Sequence, residues 1–309
     1  MRWLRRIVVG IVSLVVGLLA VVLAASYIFN LATDGEGRPV TSLWHGRFVE
    51  ADGVLTAYRE WGSSGSPILL IGGLLEPSFV WDGVGPLLAR AGHRVYALDL
   101  DGFGYSQRRG PWTLAEWTEQ AQGFMRALEI REPVVVGHSL GAAVAVDLAR
   151  HRSASRAVLL DGDALRTGGP PRLLGEILSH LPLATSAVRL STDWDWPVEE
   201  ILAPVYGPQH PKIDHQLVAL WTGQLRADGA GHALTKLIGN GVQGFSRTQL
   251  KTLRIAATVV WGSSDGVDPV SAGRETAHDL DARFILIPGA GHLALLTDPG
   301  AVARSIEAT

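Results

Sequence analysis

The residues best placed to do chemistry are Gly137-His138-Ser139-Leu140-Gly141. An apolar run at 133–136 precedes them and a helix-forming run at 142–150 follows. A serine on a sharp bend between a strand and a helix has its hydroxyl thrust clear of the sheet, where a substrate can reach it. The bend imposes strained dihedrals and crowds the positions two residues before and after, and glycine at both relieves the crowding. Such a serine points to nucleophilic chemistry, which needs a histidine to take its proton and a carboxylate to orient that histidine.

The same spacing occurs a second time, in Gly262-Ser263-Ser264-Asp265-Gly266, again behind an apolar run at 258–261. Context separates the two. Gly266 is followed by Val267-Asp268-Pro269, a loop closed by proline, whereas helix-compatible residues begin directly after Gly141. Beyond Ser139 there are several strand ends left to supply a base and an acid; beyond Ser264 there is barely one. Ser139 is therefore the expected nucleophile, and Ser264 is not.

The elements that must position this serine are readable from hydrophobic period. Strands are expected at 48–51 and 55–60, joined at Asp52-Gly53, a strong hairpin signal. Continuous apolar runs follow at 68–71, 95–98, 134–136, 157–160, 258–261 and 284–287. Runs apolar on both faces suit parallel strands covered by helices on each side. Candidate helices lie between them, at 80–91, 113–128, 142–150, 270–280 and 301–306. The alternation predicts an α/β fold with a mostly parallel, eight-stranded sheet opened by an antiparallel hairpin. Ligands of such sheets bind beyond the carboxyl ends of the strands. The segment 166–250 breaks the rhythm, with prolines at 170, 171, 182, 197, 204, 208 and 211 and no convincing strand. It is expected to be a helical insertion that roofs the serine. The sheet would then be built from 48–165 and 251–309.

The N-terminus is a different kind of polymer. Arg2, Arg5 and Arg6 precede an uncharged apolar stretch at 7–25 that continues through Tyr27-Ile28-Phe29. About twenty such residues cross a hydrocarbon core, whereas the apolar part of a cleaved signal runs to roughly 7–15. Residues 1–30 are therefore expected to be an uncleaved membrane anchor, with 31–47 as a tether; the alternative is secretion after cleavage near Val22-Leu23-Ala24. The arginines place the N-terminus in the cytoplasm and the rest of this single-pass chain outside. Removing those three from the 27 basic residues leaves 24 against 30 acidic ones, a mildly acidic exported part. The whole chain, 309 residues at a formal −3 with no lysine-rich tract, gives no case for nucleic acid. It contains no cysteine, so neither a disulfide nor a thiolate metal site can form.

From about residue 48 onward the chain resembles the α/β-hydrolase family, in the serine hydrolase branch that carries a helical cap. Four motifs carry the resemblance in the family's order. Beside the serine bend, Asp99-Leu100-Asp101-Gly102-Phe103-Gly104-Tyr105-Ser106 is similar to the turn after the fourth strand. Trp261-Gly262-Ser263-Ser264-Asp265, with Pro269, resembles the acid loop after the seventh, and Gly289-Ala290-Gly291-His292 the histidine loop after the eighth. The resemblance implies a triad of Ser139, Asp265 and His292. His292 would accept the serine proton and pass it to the leaving group, work suited to an imidazole. Asp265 would hold the other ring nitrogen; Asp268, Asp161 and Asp163 are rivals for that role. The oxyanion would meet the backbone N–H groups of Leu140 and of Leu74. Here the chain departs from the pattern, with Gly72 where relatives usually carry histidine.

Other residues are expected to be structural. His138 reads as a hydrogen-bonding neighbour of the site, and Asp99, Gly102 and Gly104 as the shapers of a turn. His210, Asp214 and His215 lack metal-ligand spacing, and neither a metal nor a cofactor is implied. Trp194, Trp196, Tyr206 and Trp221 either line an apolar pocket or hold the cap together. The implied activity is hydrolysis of a carboxylic ester or related acyl bond (EC 3.1.1 type) on a lipophilic small molecule. Alternatives that use the same residues are carbon–carbon bond hydrolysis and haloperoxidase-like chemistry; a third is a non-enzymatic ligand-binding protein of this fold. Serine in place of aspartate argues against dehalogenase and epoxide hydrolase chemistry.

Overall fold

The computed structural model describes residues 2–33, 37–167, 182–191 and 196–309. Eight strands form one sheet: β1 (Arg47–Ala51), β2 (Val54–Trp61), β3 (Pro67–Ile71), β4 (Arg94–Leu98), β5 (Val134–His138), β6 (Arg156–Leu160), β7 (Ala257–Gly262) and β8 (Arg283–Ile287). Their order across the sheet is β1-β2-β4-β3-β5-β6-β7-β8. Only the β1–β2 and β2–β4 pairings are antiparallel. Asp52 and Gly53 turn the first hairpin with φ of 53° and 79°, the double positive φ of the two-residue loop that matches strand twist. Every expected strand is present.

Alternate side chains of each central strand enter opposite cores. Leu69, Ile71, Val135, Leu159 and Val259 pack with Trp117, Phe124, Val144 and Leu148 from the helices Leu114–Ala127 and Gly141–Arg150. Ile68, Leu70, Val136, Val158 and Val260 pack on the other face with Trp81, Leu88, Leu295 and Val302. This double coverage is why these runs are apolar throughout.

One expected helix is corrected. Residues 80–91 are not continuous: a 3-10 turn, Ser78–Trp81, is followed by a separate helix, Gly85–Arg90. A Cβ on Gly83 would stand 2.9 Å from the Pro299 ring, and one on Gly85 2.4 Å from the Trp61 ring. Pro86, in the first turn of the second helix, has no N–H to carry the ladder on from the turn before it.

Between β6 and β7 the described residues carry helices at Pro182–Ser191, Trp196–Tyr206, His215–Thr222, Ala230–Asn240 and Arg247–Thr252. A bridge between Leu165 and Phe245 draws the two ends of the segment together. The N-terminal helix runs unbroken from Arg2 to Thr33, and its Ser13–Ala32 stretch, of mean hydropathy 2.4, is long and apolar enough to cross a bilayer. Its last turns are bonded to the insertion: the hydroxyls of Ser26 and Ser186 lie 2.6 Å apart, and Asn30 Nδ2 donates to Pro182 O at 2.7 Å.

Candidate active site

Ser139 sits between the end of β5 and the helix Gly141–Arg150 with φ +49°, a left-handed conformation costly for a residue with a Cβ. The bend is held by its own N–H donating to Leu160 O at 2.9 Å and by Ala142 N donating to Ser139 O at 3.0 Å. It is also crowded. A Cβ on Gly137 would lie 2.1 Å from Gly141 O, and one on Gly141 2.6 Å from both Gly72 O and Ile71 O. The second pentapeptide makes no such bend: Ser264 N donates to Ala290 O at 2.8 Å, and Ser263 Oγ accepts from Gly289 N at 2.7 Å. Those bonds tie the loop after β7 to the loop after β8.

That tie brings Asp265 and His292 together. His292 Nδ1 lies 2.9 Å from Asp265 Oδ2, and both side chains are buried. The other carboxylate oxygen, Oδ1, accepts from the N–H groups of Val267 and Asp268 at 2.8 and 3.0 Å. A carboxylate fixed on both oxygens has one orientation left, and it faces the imidazole. Asp268 therefore supports the Asp265 loop through its backbone. Asp163 is occupied elsewhere, its Oδ1 accepting from Leu165 N at 2.9 Å. Asp161, at the end of β6 with φ +46°, accepts from Gly262 N at 2.6 Å through Oδ1, while its buried Oδ2 has no partner among the described residues. Burial raises its carboxyl well above the usual carboxylate range, against the lowering pull of His138 and the Gly262 N–H.

Leu140 opens the helix Gly141–Arg150, where the first N–H groups have no intrahelical acceptor. The loop after β3 lies directly against the serine: a Cβ on Gly73 would stand 2.9 Å from Ser139 Cβ. Leu74 follows and is half-exposed.

His138, expected as a hydrogen-bonding neighbour of the site, finds its partner in Glu76, a residue not singled out from the sequence. Glu76 Oε2 accepts from Gly73 N at 2.6 Å and lies 2.7 Å from His138 Nδ1. His138 Nε2 lies 2.8 Å from His292 O, with the two imidazole rings 4.9 Å apart. Burial acts to lower the His138 imidazole, but the Glu76 carboxylate and its hydrogen bond outweigh it and raise the group to about 9. His138 is thus an imidazolium with both N–H groups donating. One buried carboxylate stands behind both the loop at Gly73 and the backbone of the histidine loop. An acidic residue five positions past the end of an apolar strand, in an otherwise apolar loop, was the available signal.

The remaining expected residues have plain roles. Asp99, with its carboxyl raised by burial, accepts from Ser78 N at 2.5 Å and Tyr105 N at 2.7 Å, closing the turn after β4. Asp214 caps the helix His215–Thr222 by accepting from Leu217 N, and His210 Nδ1 faces Pro211 O. Tyr206 and Trp221 are buried against each other and Phe79, Trp196 is exposed, and Trp194 lies outside the described residues.

The chain belongs to the alpha/beta hydrolase fold family, which it matches over residues 66–299. It is 24% identical over 267 residues to an uncharacterized hydrolase, YugF, of Bacillus subtilis, covering 84% of this chain and 96% of that one. A shorter stretch of 125 residues is 36% identical to 2-hydroxymuconate semialdehyde hydrolase of a Pseudomonas species, covering 38% and 44%. Among solved structures, a membrane phospholipase A described as a bacterial virulence factor superimposes with a TM-score of 0.67 at 20% identity, covering 98% of this chain and 97% of that one.

Proposed function

We propose that this hydrolase cleaves a carboxylic ester, or a chemically close acyl bond, of a lipophilic small molecule through an acyl-serine intermediate. The observation that carries the reading is the buried 2.9 Å contact of His292 Nδ1 with Asp265 Oδ2, with the His292 ring 4.9 Å from that of His138, the residue before a serine held at φ +49°. With Asp265 on one ring nitrogen, Nε2 of His292 takes the Ser139 proton as Oγ attacks the carbonyl carbon. Charge passes to the carbonyl oxygen, which faces the N–H groups of Leu140 and Leu74. His292 then gives its proton to the departing alkoxide. Water, deprotonated by the same imidazole, releases the acid and restores the serine. A fluorophosphonate probe tests this: labelling should fall on Ser139, and folded protein that stays unlabelled would refute the reading.

Carbon–carbon bond hydrolysis by the same residues is the second reading, favoured by the 36% identical stretch shared with 2-hydroxymuconate semialdehyde hydrolase. A panel pairing p-nitrophenyl esters with vinylogous diketones separates the two.

The N-terminal helix is taken as a single-pass anchor with the catalytic part outside, and the insertion as a cap over the serine. Supporting this are the three arginines before the apolar stretch, the unbroken helix to Thr33, and the whole-chain likeness to a protein described as a membrane phospholipase. The hydrogen bonds from Ser26 and Asn30 put the insertion beside the end of the anchor, where a substrate partitioned into lipid would arrive. N-terminal sequencing of the membrane fraction should return residue 1; a start near residue 25 would indicate cleavage and secretion.

A further inference from the structure

Gln224 lies in the 3-10 turn Gly223–Arg226 of the insertion, 1% exposed, and uses both ends of its side chain on the catalytic face of the sheet. Its Oε1 accepts from Gly104 N at 2.7 Å. Its Nε2 donates to Leu75 O at 2.7 Å and to Trp221 O at 3.2 Å. Its own carbonyl accepts from Arg108 Nη2 at 3.0 Å, and that guanidinium also donates to Gly104 O and Ser106 O, both at 2.6 Å. The amide supplies the acceptor from one atom and the donor from another, whereas an ionised glutamate of the same size only accepts and satisfies just the Gly104 side.

Leu75 is the residue after the expected oxyanion donor, and it is held at φ +58°, a conformation leucine adopts only when its surroundings impose it. The loop is thereby gripped on both flanks of Leu74: Glu76 holds the Gly73 N–H from below, and Gln224 holds the Leu75 carbonyl from above. The turn that carries Gln224 is in turn stitched to the segment following the N-terminal helix. Arg38 N donates to Arg226 O at 2.9 Å, and Asp228 N donates to Arg38 O at 3.0 Å.

We propose that Gln224 is a positioning residue for the oxyanion loop, setting the Leu74 N–H through the Leu75 carbonyl and linking that loop to the seating of the insertion and of the chain at Arg38. This rests on the acyl-serine reading above. It also accounts for how a loop with Gly72 in place of histidine keeps its shape.

The test uses full-length protein in detergent and the variants Gln224→Glu and Arg38→Pro. Gln224→Glu, measured at a pH where the new carboxyl is ionised, keeps the acceptor for Gly104 N and loses the donor to Leu75 O. Hydrogen exchange should accelerate at 72–76 and stay unchanged at 102–106, and kcat on a soluble ester should fall by about tenfold with KM within about threefold, a fraction of the effect of deleting an oxyanion donor. Arg38→Pro removes the N–H to Arg226 O and should accelerate exchange at 72–76 to a smaller degree. Unchanged exchange at 72–76 in folded Gln224→Glu would overturn the proposal, as would a fall in protection spread evenly over the molecule. Wild-type protein that fails to label at Ser139 would sink the acyl-serine reading instead, while the exchange at 72–76 would still report whether Gln224 holds the loop.

Discussion

His138 Nδ1 stands 2.7 Å from Glu76 Oε2, so the residue before the serine and the loop that faces it share one buried ion pair. The folded imidazole is raised to about 9 from an ordinary 6.5. A group raised on folding contributes stability fully present below its unfolded pKa and lost as pH rises through the folded one. The contribution, on the order of 3 kcal/mol, should therefore fade between about pH 6.5 and about pH 9. Denaturant unfolding across that window should show the decline in wild type. In Glu76→Gln, which removes the two largest raising influences and leaves only Asp161 and the His292 carbonyl against burial, the decline should be much smaller.

The acid of the proposed triad is separable from its rivals by substitution. Asp265→Asn keeps the shape but removes the charge that orients and stabilises the imidazolium, so kcat should fall roughly 10³–10⁴-fold with KM little changed. Asp163→Asn and Asp268→Asn should leave kcat within about threefold, since neither carboxylate touches His292. Ester hydrolysis by the three purified variants decides the matter; an Asp265→Asn enzyme of near wild-type activity would hand the role to another carboxylate.

Much of this was readable from the chain. The strands were legible because the central runs are apolar on both faces, and the serine bend because glycine at 137 and 141 sits between a strand and a helix. What escaped was mostly set by contacts distant in sequence. One miss was local: the stretch 80–91 itself contains Gly83, Gly85 and Pro86, and Pro299 and Trp61 pack against the two glycines. Glu76 and His138 are 62 positions apart, Gln224 and Leu75 149 apart. No local pattern announces which buried polar group will meet which, because the pairing is decided by the register of the strands and the path of the insertion.

The closeness of the bend to β3 gives a packing prediction. In Gly141→Ala the added methyl meets two backbone oxygens, Gly72 O and Ile71 O, at 2.6 Å, and neither can rotate away as a side chain would. The helix must shift off β3, at a cost of about 2–4 kcal/mol. The shift also carries Leu140 and Ser139 away from the loop at Gly73. Chemical denaturation should register the destabilisation, and fluorophosphonate labelling measured well below the unfolding midpoint should be slowed as well.

Asp161 is the buried carboxyl for which the proposed mechanism has no use. Its Oδ1 is satisfied by Gly262 N and its Oδ2 has no partner among the described residues, so the fold favours the neutral acid and burial raises the group well above the carboxylate range. Unfolding lets it ionise at an ordinary carboxylate pKa. The folded state therefore loses ground as pH rises from acid toward neutrality, the sign expected for a raised group. Asp161→Asn keeps the acceptor for Gly262 N in an amide that does not ionise. It should raise the melting temperature by about 2–6 °C at about pH 8, with a gain that shrinks toward about pH 4. Ester hydrolysis should be retained, because His292 keeps Asp265. A variant that melts lower than wild type at about pH 8 would mean that Asp161 is held as a carboxylate, with the charge of His138 as its counter-ion.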